Sequence, residues 1–447
     1  MGIMKYLYAI FLLSILNVAC GQSITGTWKG ELQTPGQRIP LVFHIHQDNT
    51  GYAGTMDSPK QGAIGLPLSE VKLNGDVLRL KMSTAGLEYE GRVEGDTIKG
   101  EFRQGGGTFN LSLTKTLDSI TIIKRPQEPE GVPIYREVEV SFFNKRADLT
   151  LAGTLTMPAT GNGFPAILLV TGSGPQNRDE ELFGHKPFKL IADYLTKNGY
   201  AVLRYDDRGV GESTGDFSLG TTADFAADAA AGVAFLTGHP AINPAKIGVI
   251  GHSEGGMIAP MLAAEDSKIA FIGLLAGPTI AIDSLMLLQN AAFGKASGMS
   301  EKALIKARDL NRKIYAIAKS SRNDGEVKKT LMGILNNSKQ VDELTSPWFR
   351  SFFRFEPGVY LNRVNCPIFA VYGGKDLQVP AEANLNAIYR ISEKKKNRLD
   401  FIKVYPDLNH LFQHAQTGLV NEYGFLEETM SEEVLRDLKT WLDRVTL

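Results

Sequence analysis

The alternation of apolar and polar residues changes character once along this chain. From Ser23 to about Thr116 it is written in short runs. Examples are Gly26-Thr-Trp-Lys-Gly-Glu-Leu32, Leu41-Val-Phe-His-Ile-His46, Val77-Leu-Arg-Leu-Lys-Met82 and Phe109-Asn-Leu-Ser-Leu113. Several alternate with the period of a strand that buries one face. Asn74-Gly75 and Glu94-Gly-Asp96 separate such runs with turn chemistry. No helical period occurs. The pattern predicts a small antiparallel β-meander over residues 23–116, folded as a barrel or a sandwich.

Residues 117–134 read as a linker, since Lys124 to Gly131 is polar and proline-rich. From about Tyr135 apolar strands alternate with helical stretches, the mark of an α/β domain with a mainly parallel sheet, here over 135–447. Strands are predicted at Ala166–Val170, Ala201–Tyr205, Lys246–Ile250, Ile269–Leu275, Pro367–Tyr372 and Phe401–Val404. Two earlier runs, Glu137–Phe142 and Leu149–Thr156, form an antiparallel edge. Between Gly277 and Asn365 the alternation stops, and the text becomes rich in Ala, Leu, Lys and Met with no good strand. This interval, residues 278–365, reads as a helical cap inserted over the sheet. It ends in an aromatic cluster running from Trp348 to Phe355, either lining an acyl pocket through Trp348, Phe349 and Phe352 or forming the seam between cap and sheet.

Composition narrows the classes. Lys and Arg number 48 against 49 Asp and Glu, so the chain lacks the basic footprint of a nucleic-acid binder. Lys5 followed by the apolar run Tyr6 to Val18 and the small residues Ala19-Cys20-Gly21 has the layout of an export signal over residues 1–21. The run is too short to span a bilayer, where about 20 residues are needed. Cleavage after Gly21 would release a periplasmic or secreted protein. Cleavage before Cys20 would leave a lipidated, membrane-anchored cysteine, though Asn17 fits that signal poorly. The only other cysteine, Cys366, precedes Pro367 and an apolar run and reads as core, so no intramolecular disulfide is expected.

The candidate chemistry begins at Ile247-Gly-Val-Ile-Gly-His-Ser-Glu-Gly-Gly256. A strand stops abruptly at a serine flanked by glycines, the Gly-x-Ser-x-Gly nucleophile elbow. Small residues two before and two after Ser253 let a strand turn directly into a helix, leaving the hydroxyl projecting. That hydroxyl needs a base. Only His410 and His414 follow it among the seven histidines. His410 lies in the loop after a predicted strand, where open α/β sheets keep their sites; His414 would sit one turn along a helix. Asp376, in Tyr372-Gly-Gly-Lys-Asp376, is placed to orient the imidazole. The oxyanion donors would be the backbone N–H groups of Glu254 and Ser173.

Other polar residues read as structural. His252 is a neighbour of the nucleophile rather than a second base. Asp206, Asp207 and Arg208 brace a loop by ion pairing, and Arg178 and Asp179 pair nearby. His44 and His46 share one strand face without a third metal ligand in view, and no metal or other cofactor is expected.

These residues carry a family likeness. Thr171-Gly-Ser-Gly-Pro-Gln-Asn-Arg-Asp-Glu180, Asp207-Arg-Gly-Val-Gly-Glu-Ser213, Gly251-His-Ser-Glu-Gly-Gly256 and Leu408-Asn-His-Leu-Phe412 resemble the α/β-hydrolases. Within them, they are similar to the bacterial EstD-like serine carboxylesterases. The resemblance implies a triad of Ser253, Asp376 and His410 and hydrolysis of a small-molecule ester with short to medium acyl groups. A serine peptidase of the same fold is the alternative, with Asp342 and Glu343 as cap acids for a substrate amine. A further alternative is a binding protein on a hydrolase scaffold, its meander engaging carbohydrate or an envelope partner.

Overall fold

The computed structural model describes residues 23–116 and 125–446, apart from 35–36, 49–50, 60–62, 84–85, 105 and 396–398. The expected export signal with Cys20, and residues 117–124 of the expected linker, lie outside the described residues. The chain divides into two compact units.

The first unit is a meander of β1 (Gly26–Thr34), β2 (Gln37–Asp48), β3 (Gly51–Ser58), β4 (Ala63–Pro67), β5 (Glu70–Asn74), β6 (Val77–Met82), β7 (Leu87–Glu94), β8 (Thr97–Gln104) and β9 (Gly107–Thr116). They form one antiparallel sheet in the order β4-β3-β2-β1-β9-β8-β7-β6-β5. Its edges, β4 and β5, are consecutive in the chain. The Leu68 and Ser69 N–H groups between them bond the Gly54 and Lys81 carbonyls, so the sheet curls on itself as a half-barrel rather than splitting into a sandwich. The inward residues of the period-two pattern, among them Trp28, Phe43, Tyr89, Phe102 and Leu113, make its core. His44 is bonded to Thr27 Oγ1 at 3.2 Å and to Asp57 Oδ2 at 2.9 Å, while His46 is exposed.

The second unit holds an eight-stranded sheet. Its strands are β10 (Arg136–Asn144), β11 (Leu149–Met157), β12 (Phe164–Val170), β13 (Ala201–Tyr205), β14 (Ile242–His252), β15 (Phe271–Leu275), β16 (Ile368–Gly373) and β17 (Phe401–Tyr405). The order is β10-β11-β13-β12-β14-β15-β16-β17. β10 and β11 are the antiparallel edge, and β13 through β17 run parallel with β12. The central strands are unbroken apolar runs because helices cover both faces. On one face α1 (Pro187–Lys197) and the C-terminal helix (Glu432–Thr446) pack with Phe271, Phe369 and Trp441. On the other lie α2 (Thr222–Gly238), α3 (Gly255–Glu265) and the helix Ala381–Lys395. This is the α/β-hydrolase arrangement, with the β-meander before it.

Between β15 and β16 the chain forms α4 (Ile282–Ala296), α5 (Glu301–Ala318), α6 (Asp324–Leu335), α7 (Ser338–Leu344), α8 (Pro347–Phe353) and α9 (Pro357–Leu361). Four of them open on Ser300, Asn323, Asn337 and Ser346, each of whose side chains accepts the N–H three residues on. Such a cap contributes about 1 kcal/mol. Ile314, Tyr315, Val327, Leu331, Val341 and Phe353 give these helices a small core of their own. Buried Arg350 ties α8 to the end of α5 by donating to the Ala318, Ser320 and Arg322 carbonyls.

Candidate active site

The nucleophile elbow is built by close backbone approach. Ser253 sits at φ 50°, a left-handed conformation that is costly for a residue with a side chain. A Cβ on Gly251 would overlap the Gly255 carbonyl, and one on Gly255 would overlap the Val170 carbonyl. The turn is therefore possible only with glycine at both positions. The Ser253 N–H donates to Leu275 O at 2.9 Å, which fixes the corner against β15.

Two further loops meet it. Asp376 follows β16 and His410 follows β17. The glycines before Asp376 have the same steric logic, since a Cβ on Gly373 would strike the Leu408 and Asn409 carbonyls, and one on Gly374 that of Pro406. The Asp376 and His410 loops thus lie backbone against backbone. His410 Nδ1 is 2.7 Å from Asp376 Oδ2, and both residues are buried. The other carboxylate oxygen, Oδ1, accepts the N–H groups of Gln378 at 2.7 Å and Val379 at 2.9 Å, so the carboxylate cannot rotate freely. Asn409 Oδ1 accepts the N–H groups of Leu411 and Gln413 and holds the turn around His410. Ser253 and His410 line one cleft without a hydrogen bond between hydroxyl and imidazole. Such bonds are often long in a free enzyme and tighten with substrate.

The loop after β12 passes close over the serine. A Cβ on Gly172 would lie 3.2 Å from Ser253 Cβ, tighter than an ordinary contact. The backbone N–H groups of Ser173 and Glu254 make no hydrogen bond to a described group. Their positions, one beside the serine and one on the loop crossing it, are those an oxyanion hole requires. The Glu254 side chain turns away and is buried, accepting from Thr222 Oγ1 at 2.6 Å and from the cap's Trp348 Nε1 at 3.0 Å. Burial raises its carboxyl above the usual range, against the pull of hydrogen bonds from Thr222, Trp348 and Ser173.

The cleft holds about 370 Å³ and is walled on the cap side by Leu285, Met286, Trp348, Phe349 and Phe352. Trp348 stacks on Phe352 with ring centroids 4.8 Å apart and meets Phe349 edge-on at 5.3 Å. The aromatic cluster is thus both pocket wall and seam. Among the described residues, no Lys or Arg lines the cleft.

The remaining polar residues fall elsewhere. His414 is not on a helix: Leu408 and His414 pair as an isolated bridge, and the exposed His414 ring faces Glu428. Pro406 and the turns that follow it fold residues 406–415 into a tight loop instead. The bracing by ion pairing near β13 holds for Asp206 and Arg208 but not for Asp207. Asp206 pairs with Arg178, Arg208 with Asp228, and Arg204 with Asp179. Asp207 pairs with no cation among the described residues; it accepts from Thr171 Oγ1 and the Gln176 N–H, and burial pushes its carboxyl up to about 8. Asp342 pairs with Lys328 on the exposed side of the cap, and Glu343 is exposed beside it; neither lines the cleft. Cys366 is a free thiol, and burial pushes its pKa up to about 12.

Sequence reasoning missed Glu180. Its carboxylate lies 2.8 Å from His252 Nδ1 and accepts the Gly172 N–H at 2.8 Å. Gln378, from a loop, and Tyr423, from the one-turn helix Val420–Tyr423, also line the cleft, and neither stretch carries a periodic signal. A stretch such as Asp179-Glu-Glu181 offered no way to tell which acid turns inward.

A family model described as serine aminopeptidase, S33 (Hydrolase_4) matches residues 186–415. The chain is 28% identical over 317 residues to esterase EstD of Thermotoga maritima, covering 70% of each protein. Among solved structures, the Pyrococcus furiosus esterase Pf2001 aligns with 74% of this chain and all of its own, at 17% identity and a TM-score of 0.46. Acetyl xylan esterase 1 from a Thermoanaerobacterium species aligns with 70% of this chain and 85% of its own, at 15% identity and a TM-score of 0.42.

Proposed function

Because this chain belongs to the Hydrolase_4 family, we propose that it is an exported serine carboxylesterase acting on small neutral esters of short to medium acyl groups. Ser253 attacks the ester carbonyl while His410 Nε2 takes the hydroxyl proton. Asp376 keeps the Nδ1–H of His410 in place and stabilises the imidazolium. The oxyanion is held by the N–H groups of Ser173 and Glu254. His410 then returns the proton to the leaving alcohol, and water, activated the same way, releases the acid from Ser253.

The observation that carries this reading is the Asp376–His410 pair facing the same cleft as the strained Ser253, under an apolar cap wall. Ester over peptide is favoured by charge. A substrate amine needs an uncommitted carboxylate in the cleft. Asp342 and Glu343 stand outside it, while Glu254 and Glu180 are already hydrogen-bonded. With neither lysine nor arginine among the described lining residues, the cleft favours neutral over anionic substrates. The likeness to esterase EstD points the same way. Export rests on the apolar run from Tyr6 to Val18, and the mass of the mature N-terminus would distinguish cleavage after Gly21 from lipidation of Cys20.

The test uses residues 23–447 on p-nitrophenyl esters from acetate to laurate and on aminoacyl p-nitroanilides, with Ser253→Ala as control. Ester cleavage that vanishes in the variant and peaks at one acyl length is the expected result. Anilide cleavage would assign the peptidase, and activity unchanged in Ser253→Ala would overturn the triad.

A further inference from the structure

We propose that His252 and Glu180 form a buried imidazolium–carboxylate pair that positions both the catalytic base and the oxyanion loop; this rests on the reading of Ser253, Asp376 and His410 as a triad. The argument starts from what each ring nitrogen faces. His252 Nε2 is 3.0 Å from the main-chain carbonyl oxygen of His410. A carbonyl oxygen only accepts, so Nε2 carries a proton. His252 Nδ1 is 2.8 Å from Glu180 Oε1, and the same oxygen accepts the Gly172 N–H at 2.8 Å. With Glu180 as a carboxylate, that oxygen only accepts, and Nδ1 carries the second proton. A neutral imidazole has one N–H and would set a lone pair against one of these oxygens.

An imidazolium 5% exposed needs a counter-charge, and Glu180, 1% exposed, supplies it. The other ionisable groups facing the ring are His410, whose ring centroid is 4.6 Å away, and Asp376 behind it. Burial by itself would lower the pKa of His252; the Glu180 carboxylate and the His410 carbonyl outweigh it and hold the pKa above its ordinary value.

The pair joins three loops that the reaction must hold in register. His252 precedes the nucleophile and grips the backbone of the base. Glu180 takes the Gly172 N–H, which leaves the next N–H, that of Ser173, for the oxyanion. Glu180 itself sits at φ 51°, a strained placement for a residue with a side chain, held by a turn in which its N–H donates to Asn177 O at 2.9 Å. Because the pair is neutral overall, it adds no net charge beside His410 when that ring becomes an imidazolium.

The test combines ring-nitrogen NMR of 15N-histidine-labelled enzyme, residues 23–447, with kinetics on the best p-nitrophenyl ester. His252→Gln assigns the signals. Expected are a His252 ring protonated on both nitrogens at pH 8 and its conversion to a neutral ring in Glu180→Gln. Glu180→Gln should also lower kcat about 10²-fold with KM within about twofold, since misplaced oxyanion and base groups act in the transition state. The double variant Glu180→Gln/His252→Gln should fall no further than the worse single variant, as coupled residues do. A neutral His252 in the wild type at pH 8, additive losses in the double variant, or a loss confined to KM would overturn the proposal. A wild type whose ester turnover survives Ser253→Ala would overturn the triad instead, and the NMR would then decide the ion pair by itself.

Discussion

In the nine-stranded sheet charged side chains stand on the outer face and pair across strands, Arg79 with Glu90 and Lys81 with Glu88, while Arg92 pairs with Asp76 in the β5–β6 turn, all substantially exposed. In the eight-stranded unit several pairs lie inside: Arg208 with Asp228, His252 with Glu180 and His410 with Asp376. The difference is energetic. An exposed pair contributes little, because water already solvates both partners. A buried pair costs desolvation that an apolar substitute would avoid. The His252–Glu180 and His410–Asp376 pairs lie against the cleft where three loops and the strained Ser253 meet, so their cost coincides with a need for fixed geometry. In the first unit a comparable feature is buried Asp57 bonded to His44, and it closes on the Gly65 N–H rather than on a cleft.

The contrast can be broken most sharply at Asp376. Its Oδ1 is committed to two N–H donors, so in Asp376→Asn the amide NH2 must face His410 Nδ1. That forces the proton onto Nε2, which can no longer accept from the serine. Ester turnover should fall about 10⁴-fold with the fold intact by circular dichroism; a loss below tenfold would remove Asp376 from the triad.

Next in size is an acid effect on His185, which is buried between the Thr429 hydroxyl, the Tyr423 carbonyl and the Gln413 amide. Burial lowers its pKa from 6.5 to about 4, despite the Tyr423 carbonyl. A depressed histidine stabilises the fold above its unfolded pKa, and that stability is lost as pH falls from about 6.5 through 4. The loss is on the order of 3 kcal/mol. Urea unfolding from pH 7 to 4 should show this slope, and His185→Gln should flatten it.

Trp348→Phe keeps the aromatic wall but removes the N–H that reaches Glu254 across the cap. Glu254 retains Thr222, so the expected loss is about tenfold in kcat/KM, falling mainly on longer acyl chains. Equal losses for acetate and laurate would argue that the cap does not select acyl length. Smallest of all, Arg79→Ala on the outer sheet face should leave stability within about 0.5 kcal/mol of wild type by the same urea assay.

Much of this architecture was legible because it is local. Alternation at Val77 to Met82 and the apolar run from Ile247 to Ile250 each specify a strand from neighbouring residues. The glycines around Ser253 announce a sharp turn for a steric reason that the sequence carries in full. The helix expected at His414 failed because Leu408 pairs back to it, a contact set by the whole loop rather than by spacing. The ion pairing expected of Asp206 and Arg208 is present, but its partners, Arg178 and Asp228, stand on other elements that spacing did not indicate.

By itself the sequence determined the strands, the elbow, the helical insertion, and the placement of Ser253, Asp376 and His410 just beyond strand ends. Those depend on backbone sterics and on periodicity over a few residues. Only the tertiary structure decided that Glu180 meets His252 across 72 residues, that Glu254 meets Trp348 across 94, and that His252 reaches the His410 carbonyl across 158. The reason is that β14 lies between β12 and β15, an order that strand propensity does not encode. That order brings the loops beyond the strand ends together, and with them the charges that must be buried as pairs.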